Sequence, residues 1–469
     1  MKHEVLLEKF LHFEHENSLF DLEIHHLKFW QFIRTRIFSY ILMEKGIFNK
    51  SEQEEFGFMP KLYYKALNFY ISSLLKKTFF KFKKKDILFF CSSRRIQTDN
   101  NYQDQYLDPI IESCKMSYLA LETYNKLGHL KPPRTQNLFY LDYIEFPSRF
   151  VNYFKKMKLN EIETGVIKTL QYNLNKTFNL KYSSLYSEIN RFFLRYKYIY
   201  PRLKQLITRT NPKVIVEICS YEIFRQIANI IAKEKNIPTI EFQHGTMGRY
   251  HIAYNFIKKL YIKSFPDYIF VWGNYWKDNT HFPINDKNVI ITGFPYFENQ
   301  LSIRKDIKKE KAILFISQGT IGEKLAEVAF ELADKMINYQ VIFKLHPSEV
   351  SLANRYNLLK NKKNILVLQD PKILLYDLFA KCEYQVGVYS TALIEGLGFG
   401  LKTIMVKLQG WKYFEDLNSE FIELVDSTKE IVEFINKTQD KVLSSRIDHQ
   451  WKKNSLDNIL LNLKDIANK

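Results

Sequence analysis

A histidine that ends a short apolar run is placed for proton or phosphate chemistry, and this 469-residue chain has two. The first, His244, follows Thr239-Ile240-Glu241-Phe242 and opens Gln243-His244-Gly245-Thr246, with Arg249, His251, Tyr254 and Asn255 close behind. An imidazole there can take a proton from a hydroxyl, and Gly245 lets a ligand approach the backbone. The second, His346, follows Val341-Ile342-Phe343-Lys344-Leu345, and Pro347 stops the strand where a loop must begin. Farther on, Tyr384-Gln385-Val386-Gly387-Val388 leads into Tyr389-Ser390-Thr391 and a helix expected from about Ala392, with Glu395 in its first turn. A helix start offers free N–H groups and the positive end of a dipole, which suits phosphate. Ser317-Gln318-Gly319-Thr320, followed by Gly322, is a strand-to-helix turn of small residues that can also turn backbone N–H groups towards phosphate. It is not a G-x-G-x-x-G turn, so no dinucleotide cofactor is expected. The chain has no HExxH, no cysteine pair and no GxSxG, and neither a metal nor a serine nucleophile is expected.

These residues need strands and helices that alternate. Ile87-Leu88-Phe89-Phe90-Cys91 is a continuous apolar run of the buried parallel kind. Residues 117–121 and 137–141 read as further strands, and 148–208 as helical. Val214 to Cys219, a helix from about Glu222 to Lys235, and Thr239 to Phe242 form a βαβ unit. Tyr268 to Trp272 and Val289 to Thr292 complete this half. Gly293-Phe294-Pro295 then reads as hinge geometry, because glycine permits a turn and proline fixes the exit. The charged stretch Arg304 to Lys311 is taken as the linker. A second half starts at Ala312 and alternates strand and helix to about Val406, and helices run from Lys429 to the end. The expected fold is α/β: two Rossmann-like domains, 86–304 and 305–428, with a cleft between them, an N-terminal helical region 1–85 and C-terminal helices 429–469. In the first sixty residues Phe20, Leu22, Ile24, Leu27, Trp30, Ile33 and Ile37 are read as a rough helical face flanked by Arg34 and Arg36.

Composition bounds the rest. With 46% hydrophobic and 26% charged residues the chain is globular, and its length calls for two large domains. The net charge of +18 suits anionic partners. Residues 61–85 interleave lysines with Leu62, Tyr63, Tyr64, Phe69, Tyr70, Phe79, Phe80 and Phe82, a pattern that can lie flat on an anionic membrane surface or simply face water from a core helix. Cys91, Cys114, Cys219 and Cys382 are scattered, as buried reduced thiols are. No apolar run approaches the ~20 residues of a membrane span. A cytoplasmic protein, peripheral on the inner membrane, is expected.

Taken together, the Gln243-His244-Gly245-Thr246, Gly293-x-Pro295, His346-Pro347 and Ser390-Thr391…Glu395 clusters resemble the marks of GT-B glycosyltransferases of bacterial capsule and lipopolysaccharide biosynthesis. The resemblance spans about residues 210 to 410. His346-Pro347 and Ser390-Thr391 are similar to the transferases that use CMP-activated nonulosonates or Kdo, and His244-Gly245-Thr246 is similar to polyol-phosphate transferases. The resemblance implies a nucleotide-sugar donor held by His346, Pro347, Ser390, Thr391, Glu395, Gly319 and Thr320. It implies a lipid-linked or polysaccharide acceptor beside Gln243, Gly245, Arg249 and His251, and His244 as base. In sialyltransferase-like members the base is instead a carboxylate of the first domain. Asp99, Asp104, Glu217 and Glu222 are the candidates here, Asp99 and Glu217 foremost, although none stands in the Asp-Asp-Gly pattern of that group. A CDP-polyol or a UDP- or GDP-sugar is the alternative donor. A different class, a basic non-catalytic scaffold on membrane or nucleic acid, stays open on charge alone; no nucleic-acid recognition motif is present, and nucleic acid is not the expected partner.

Overall fold

The computed structural model describes residues 3–47, 71, 82–98, 100–125, 128–319, 321–370, 373–417, 422–439 and 449–469. The chain divides into two compact units. Unit 1 comprises Met1–Val271, Lys277–Gly293 and Leu456–Lys469, and unit 2 comprises Trp272–Trp276 and Phe294–Ser455. The chain leaves unit 1 at Gly293, whose φ of +92° is open to glycine at little cost. The charged stretch 304–311 lies inside unit 2, and the C-terminal helix belongs to unit 1.

Unit 1 is built on seven parallel strands: β1 (Ile87–Phe90), β2 (Tyr118–Glu122), β3 (Leu138–Tyr140), β4 (Val214–Glu217), β5 (Thr239–Phe242), β6 (Tyr268–Val271) and β7 (Val289–Ile291). Their order is β7-β6-β5-β4-β1-β2-β3, so the winding reverses between β1 and β4. Side chains alternate across the sheet. Leu88, Phe90, Leu121 and Ile215 join one apolar core with α1 (His3–Glu16), α2 (Trp30–Glu44), α5 (Glu161–Phe178), α6 (Leu185–Thr210) and α7 (Ile223–Glu234). Ile87, Phe89, Val214, Val216, Ile240 and Phe242 join the other with α3 (Asp108–Ser113) and α14 (Ser455–Ala467). Helix α4 (Asp142–Phe154) precedes α5. Both faces are covered, which is why these strands read as unbroken apolar runs.

The N-terminal region is helical but not one face. A two-stranded ribbon, Glu23–Ile24 with Leu27–Lys28, turns between α1 and α2. His25 and His26 occupy its tight turn at φ +48° and +61°. Arg34, expected on a flank, is completely buried: it donates to both Glu14 carboxylate oxygens and to the carbonyls of Ile252 and Asn255.

Unit 2 carries six parallel strands: β8 (Glu310–Ile316), β9 (Gln340–Lys344), β10 (Ile365–Leu368), β11 (Cys382–Gly387), β12 (Lys402–Val406) and β13 (Ile422–Val425). The order β10-β9-β8-β11-β12-β13 is again doubly wound, with its reversal between β8 and β11. The short α8 (Asn274–Asp278) starts in unit 2 and ends in unit 1; the other helices of unit 2 are α9 (Pro295–Ser302), α10 (Gly322–Lys335), α11 (Leu375–Lys381), α12 (Thr391–Gly398) and α13 (Thr428–Thr438). The segment after His346 is 3₁₀-like over Pro347–Asn361 and breaks at Leu352 and Tyr356. Trp272 is core: its ring stacks on Phe294 and Trp451, with centroids 4.8 and 5.0 Å away. The class expected from sequence, α/β with two Rossmann-like sheets and an N-terminal helical region, is the class observed. Among the described residues no helix is long and apolar enough to cross a membrane. The basic segment 61–85 lies outside the described residues, apart from residue 71 and residues 82–85.

Candidate functional site

Ligands of doubly wound sheets bind outside the carboxyl ends of the strands, where the winding reverses. In unit 2 that edge carries the loops after β8, β9 and β11, and hydrogen bonds tie all three together. His346 is the N-cap of the 3₁₀ segment: the Ser348 N–H donates to its Nδ1 at 3.2 Å, and its own N–H donates to Glu349 Oε2 at 2.9 Å. Glu349 is buried, and its Oε1 accepts from Ser317 Oγ at 3.0 Å and from the Tyr356 hydroxyl. One carboxylate thus joins the loop after β8 to the loop after β9. Gln318 Oε1 in turn accepts the Tyr389 N–H at 3.3 Å, spanning the reversal between β8 and β11.

This geometry sets the histidine tautomer. Ser348 Oγ lies 2.7 Å from the same Nδ1; with both the Ser348 N–H and its hydroxyl donating there, the neutral ring holds its proton on Nε2. His346 is exposed, and Nε2–H is the donor it offers to a ligand. Partial enclosure keeps its pKa below the usual value, with Glu349 pulling the other way. Ser390 caps α12, its Oγ accepting from the Ala392 N–H at 3.3 Å, and Thr391 is the first residue of that helix. Glu395 stands in the second turn of α12 rather than the first, and accepts from the Tyr376 hydroxyl. Burial raises its pKa to about 7. Gly319 and Pro347 lie in the loops just described, and Thr320 lies outside the described residues.

In unit 1 the corresponding edge holds the loops after β1, β4 and β5. His244 follows β5 with 16% of its side chain exposed. Its Nε2 is 3.3 Å from the Tyr221 hydroxyl, in the loop after β4. Its Nδ1 is 3.9 Å from Glu241 Oε1 and has no hydrogen-bond partner. Burial first, then His251, Arg225 and Arg94, drive its pKa down to about 3, against the opposing carbonyl of Phe242. His251 packs its ring 4.9 Å from Tyr254 and 5.7 Å from Tyr221, and burial lowers its pKa to about 4. A Cβ at Gly245 would meet nothing within 4 Å, so the space above it is open. Arg249 is exposed, whereas Gln243 is buried and donates to the Gly245 carbonyl at 2.9 Å, stapling its own loop.

The carboxylates read from sequence as bases are differently placed. Glu217 is fully buried inside β4, where Asn229 Nδ2 donates to its Oε1 at 2.8 Å. Asp104 is also fully buried and accepts the N–H groups of Ser92, Tyr106 and Leu107. Glu222 pairs with Arg225 at the start of α7. Asp99 lies outside the described residues. The carboxylate that does meet His244 is Glu241. Tyr221 and Tyr254 complete the cluster, since Tyr254 donates to Glu241 Oε1. The strand pattern alone marks Glu241 only as a polar residue in an apolar run; its hydrogen-bond partners, Ser220 and Tyr254, come from loops 21 residues before and 13 after. Among the described residues no three His, Cys, Asp or Glu side chains group as metal ligands.

No family model matches the chain, and no curated protein does. Solved structures do match. The UDP-GlcNAc 2-epimerase from Methanocaldococcus jannaschii is similar at 12% identity and a TM-score of 0.48, over 82% of this chain and 99% of that one. The same enzyme from Neisseria meningitidis, bound to UDP-GlcNAc, is similar at 12% identity and a TM-score of 0.47, over 82% and 99%. MurG from Acinetobacter baumannii is similar at 7% identity and a TM-score of 0.42, over 81% and 99%.

Proposed function

We propose that the protein is a GT-B glycosyltransferase that moves a sugar from a nucleotide donor to an acceptor hydroxyl. Unit 2 would hold the donor. The Nε2–H of His346, the Ser390 hydroxyl and the N-terminus of α12 would stabilise charge on the departing phosphate without a metal, and Glu395 would grip ribose hydroxyls. Unit 1 would supply the base: His244, kept neutral by burial, accepts the hydroxyl proton as the new glycosidic bond forms. The finer reading is a CMP-activated acidic sugar, a nonulosonate or Kdo, transferred to a bacterial capsule or lipopolysaccharide acceptor at the inner membrane. His244-Gly245-Thr246 favours the second reading, a CDP-polyol donor.

One observation carries this proposal. The His346 ring is fixed by its own cap so that a donor, not an acceptor, is left at the sheet edge where α12 begins. Calorimetric titration of CMP, CDP, UDP and GDP tests it. A hydrogen bond to a charged group is worth ~1.5–3 kcal/mol, so His346→Ala should weaken the best nucleotide roughly tenfold to a hundredfold. Ser390→Ala should weaken it less. His244→Ala should leave nucleotide affinity intact and abolish transfer. Nucleotide affinity indifferent to both His346→Ala and Ser390→Ala would sink the assignment.

A further inference from the structure

Glu241 is the carboxylate nearest the His244 ring. It projects from β5, three residues before His244, and is completely buried. Its Oε1 accepts from the Ser220 N–H at 3.0 Å and from the Tyr254 hydroxyl, and the same oxygen faces His244 Nδ1 at 3.9 Å. That Nδ1 is itself a buried polar atom with no hydrogen-bond partner. A buried polar atom without a partner calls for an explanation, and the charged group facing this one is Glu241. On the other side of the ring, Nε2 faces the Tyr221 hydroxyl. If Tyr221 donates, Nε2 carries the lone pair and Nδ1 the proton, on the side that faces Glu241.

We propose that Glu241 is the positioning carboxylate of His244: it selects the Nδ1–H tautomer, leaves the Nε2 lone pair for an acceptor hydroxyl that takes the place of the Tyr221 O–H, and stabilises the imidazolium formed there. This rests on the reading of His244 as base. In the step, the acceptor O–H bond breaks and its proton bonds to Nε2. The freed electron pair forms the glycosidic C–O bond, and the pair of the old anomeric C–O bond leaves with the nucleotide phosphate. As Nε2 becomes protonated, the 3.9 Å gap to Glu241 closes to hydrogen-bond length, ~2.8 Å. Glu241, not Glu217, is the carboxylate within 4 Å of His244 Nδ1; Glu217 bonds Asn229 instead.

Several groups face this pair and tune it. Around Glu241 stand Glu217 on β4, Arg225 on α7, Ser220 and Tyr254. Around His244 stand His251, Arg225, Arg94, Tyr221 and Tyr106. Burial raises the Glu241 pKa to about 7, while Ser220, Tyr254 and Arg225 restrain the rise. Below that pH the carboxyl is neutral and cannot support an imidazolium. The carboxylate needed by the base appears only above it.

Full-length protein labelled with ¹⁵N-histidine tests this directly. His244 is assigned by the signal lost in His244→Gln, and its ring shifts are followed from pH 5.5 to 9. The expected result is an Nδ1–H tautomer with a titration step near pH 7 that reports Glu241. Glu241→Gln should remove the step, Tyr254→Phe should move it to higher pH, and Glu217→Gln should leave a step in place. With a CMP-sugar as probe and water as acceptor, Glu241→Gln should lower kcat at least a hundredfold with KM little changed, and should flatten the rise of kcat with pH. An Nε2–H tautomer, or a step that survives Glu241→Gln, overturns the proposal. So does turnover with wild-type kcat and pH profile in Glu241→Gln, which would leave the transferase reading standing. A correct tautomer and step in a protein that turns over no nucleotide sugar would preserve the pair and sink the transferase reading instead.

Discussion

Glu217 and Glu241 sit side by side, in register on adjacent parallel strands, both fully buried, each with one carboxylate oxygen lacking any hydrogen-bond partner. Burial, then the neighbouring Glu241, pushes the Glu217 pKa up to about 8, and burial pushes Glu241 to about 7. An unfolded glutamate titrates near ~4.3. Between that value and pH 8 the folded chain therefore holds protons that the unfolded chain has released, and stability must fall as pH rises. Glu217→Gln keeps an oxygen for Asn229 and removes the ionisation. Its unfolding free energy should match wild type near pH 4.5 and exceed it by on the order of 1–3 kcal/mol at pH 8.5. Urea midpoints across this range check it, and an unchanged pH slope in the variant would refute it.

Three histidines act in the opposite direction. Burial lowers His3 to about 4, His244 to about 3 and His251 to about 4, and His251 further depresses the other two. Unfolded imidazoles bind protons from ~6.5 downward while these stay neutral, so the stability they contribute is present above ~6.5 and lost as pH falls towards 4. Each of these rings can contribute up to ~1 kcal/mol per pH unit in that window. The melting temperature should drop steeply from pH 6.5 to 4.5, and His251→Gln should flatten the drop. A variant as acid-labile as wild type would contradict the assignment.

How much of this could be read from the chain alone follows from where the information lies. Ile87 to Phe90 and Val214 to Glu217 announce themselves because both faces of a doubly wound sheet are covered, leaving almost no polar position in the strand. His346-Pro347 and Ser390-Thr391 mark strand and helix ends because proline and a capping hydroxyl act locally. Glu241 could not be read this way: its neighbours are chosen by strand register and by the return of Tyr254. The same holds for the buried chain in which Arg95 meets Glu122, Glu122 meets His129, and His129 meets Asp142, whose members come from separate loops and strands. Strand β13 is short and only half-covered, so its apolar pattern is weak.

Gly322 tests the clamp that presents His346. A Cβ there would lie 2.2 Å from the Tyr356 hydroxyl, 2.3 Å from Glu349 Oε1 and 2.8 Å from Ser317 Oγ. These three groups are the bonded core joining the loops after β8 and β9. Gly322→Ala should cost ~1–3 kcal/mol through overpacking and should weaken nucleotide binding, although residue 322 lies outside the nucleotide-contacting set. Tyr356→Phe removes the closest obstructing oxygen, so the double variant should recover part of the affinity. If Gly322→Ala binds nucleotide as wild type does, the clamp is not what holds His346.

Arg34 links the N-terminal helices to the cluster around His244. It donates to the carbonyls of Ile252 and Asn255, which bracket the turn carrying Tyr254, and its guanidinium stacks 4.2 Å from the Phe256 ring. Glu14 completes the arrangement, also accepting from Trp30 Nε1. Removing one member of a buried ion pair leaves the other charge uncompensated, a loss of ~3–5 kcal/mol, whereas replacing both with apolar groups of similar volume is often nearly neutral. Arg34→Met should therefore destabilise strongly and Glu14→Leu/Arg34→Met much less. The double variant separates two roles. If Arg34 merely fills space, its hydrogen exchange over residues 248–256 should match wild type. If its two carbonyl bonds hold that turn, protection there should fall even when global stability is restored, and Tyr254 should lose its fixed place on Glu241.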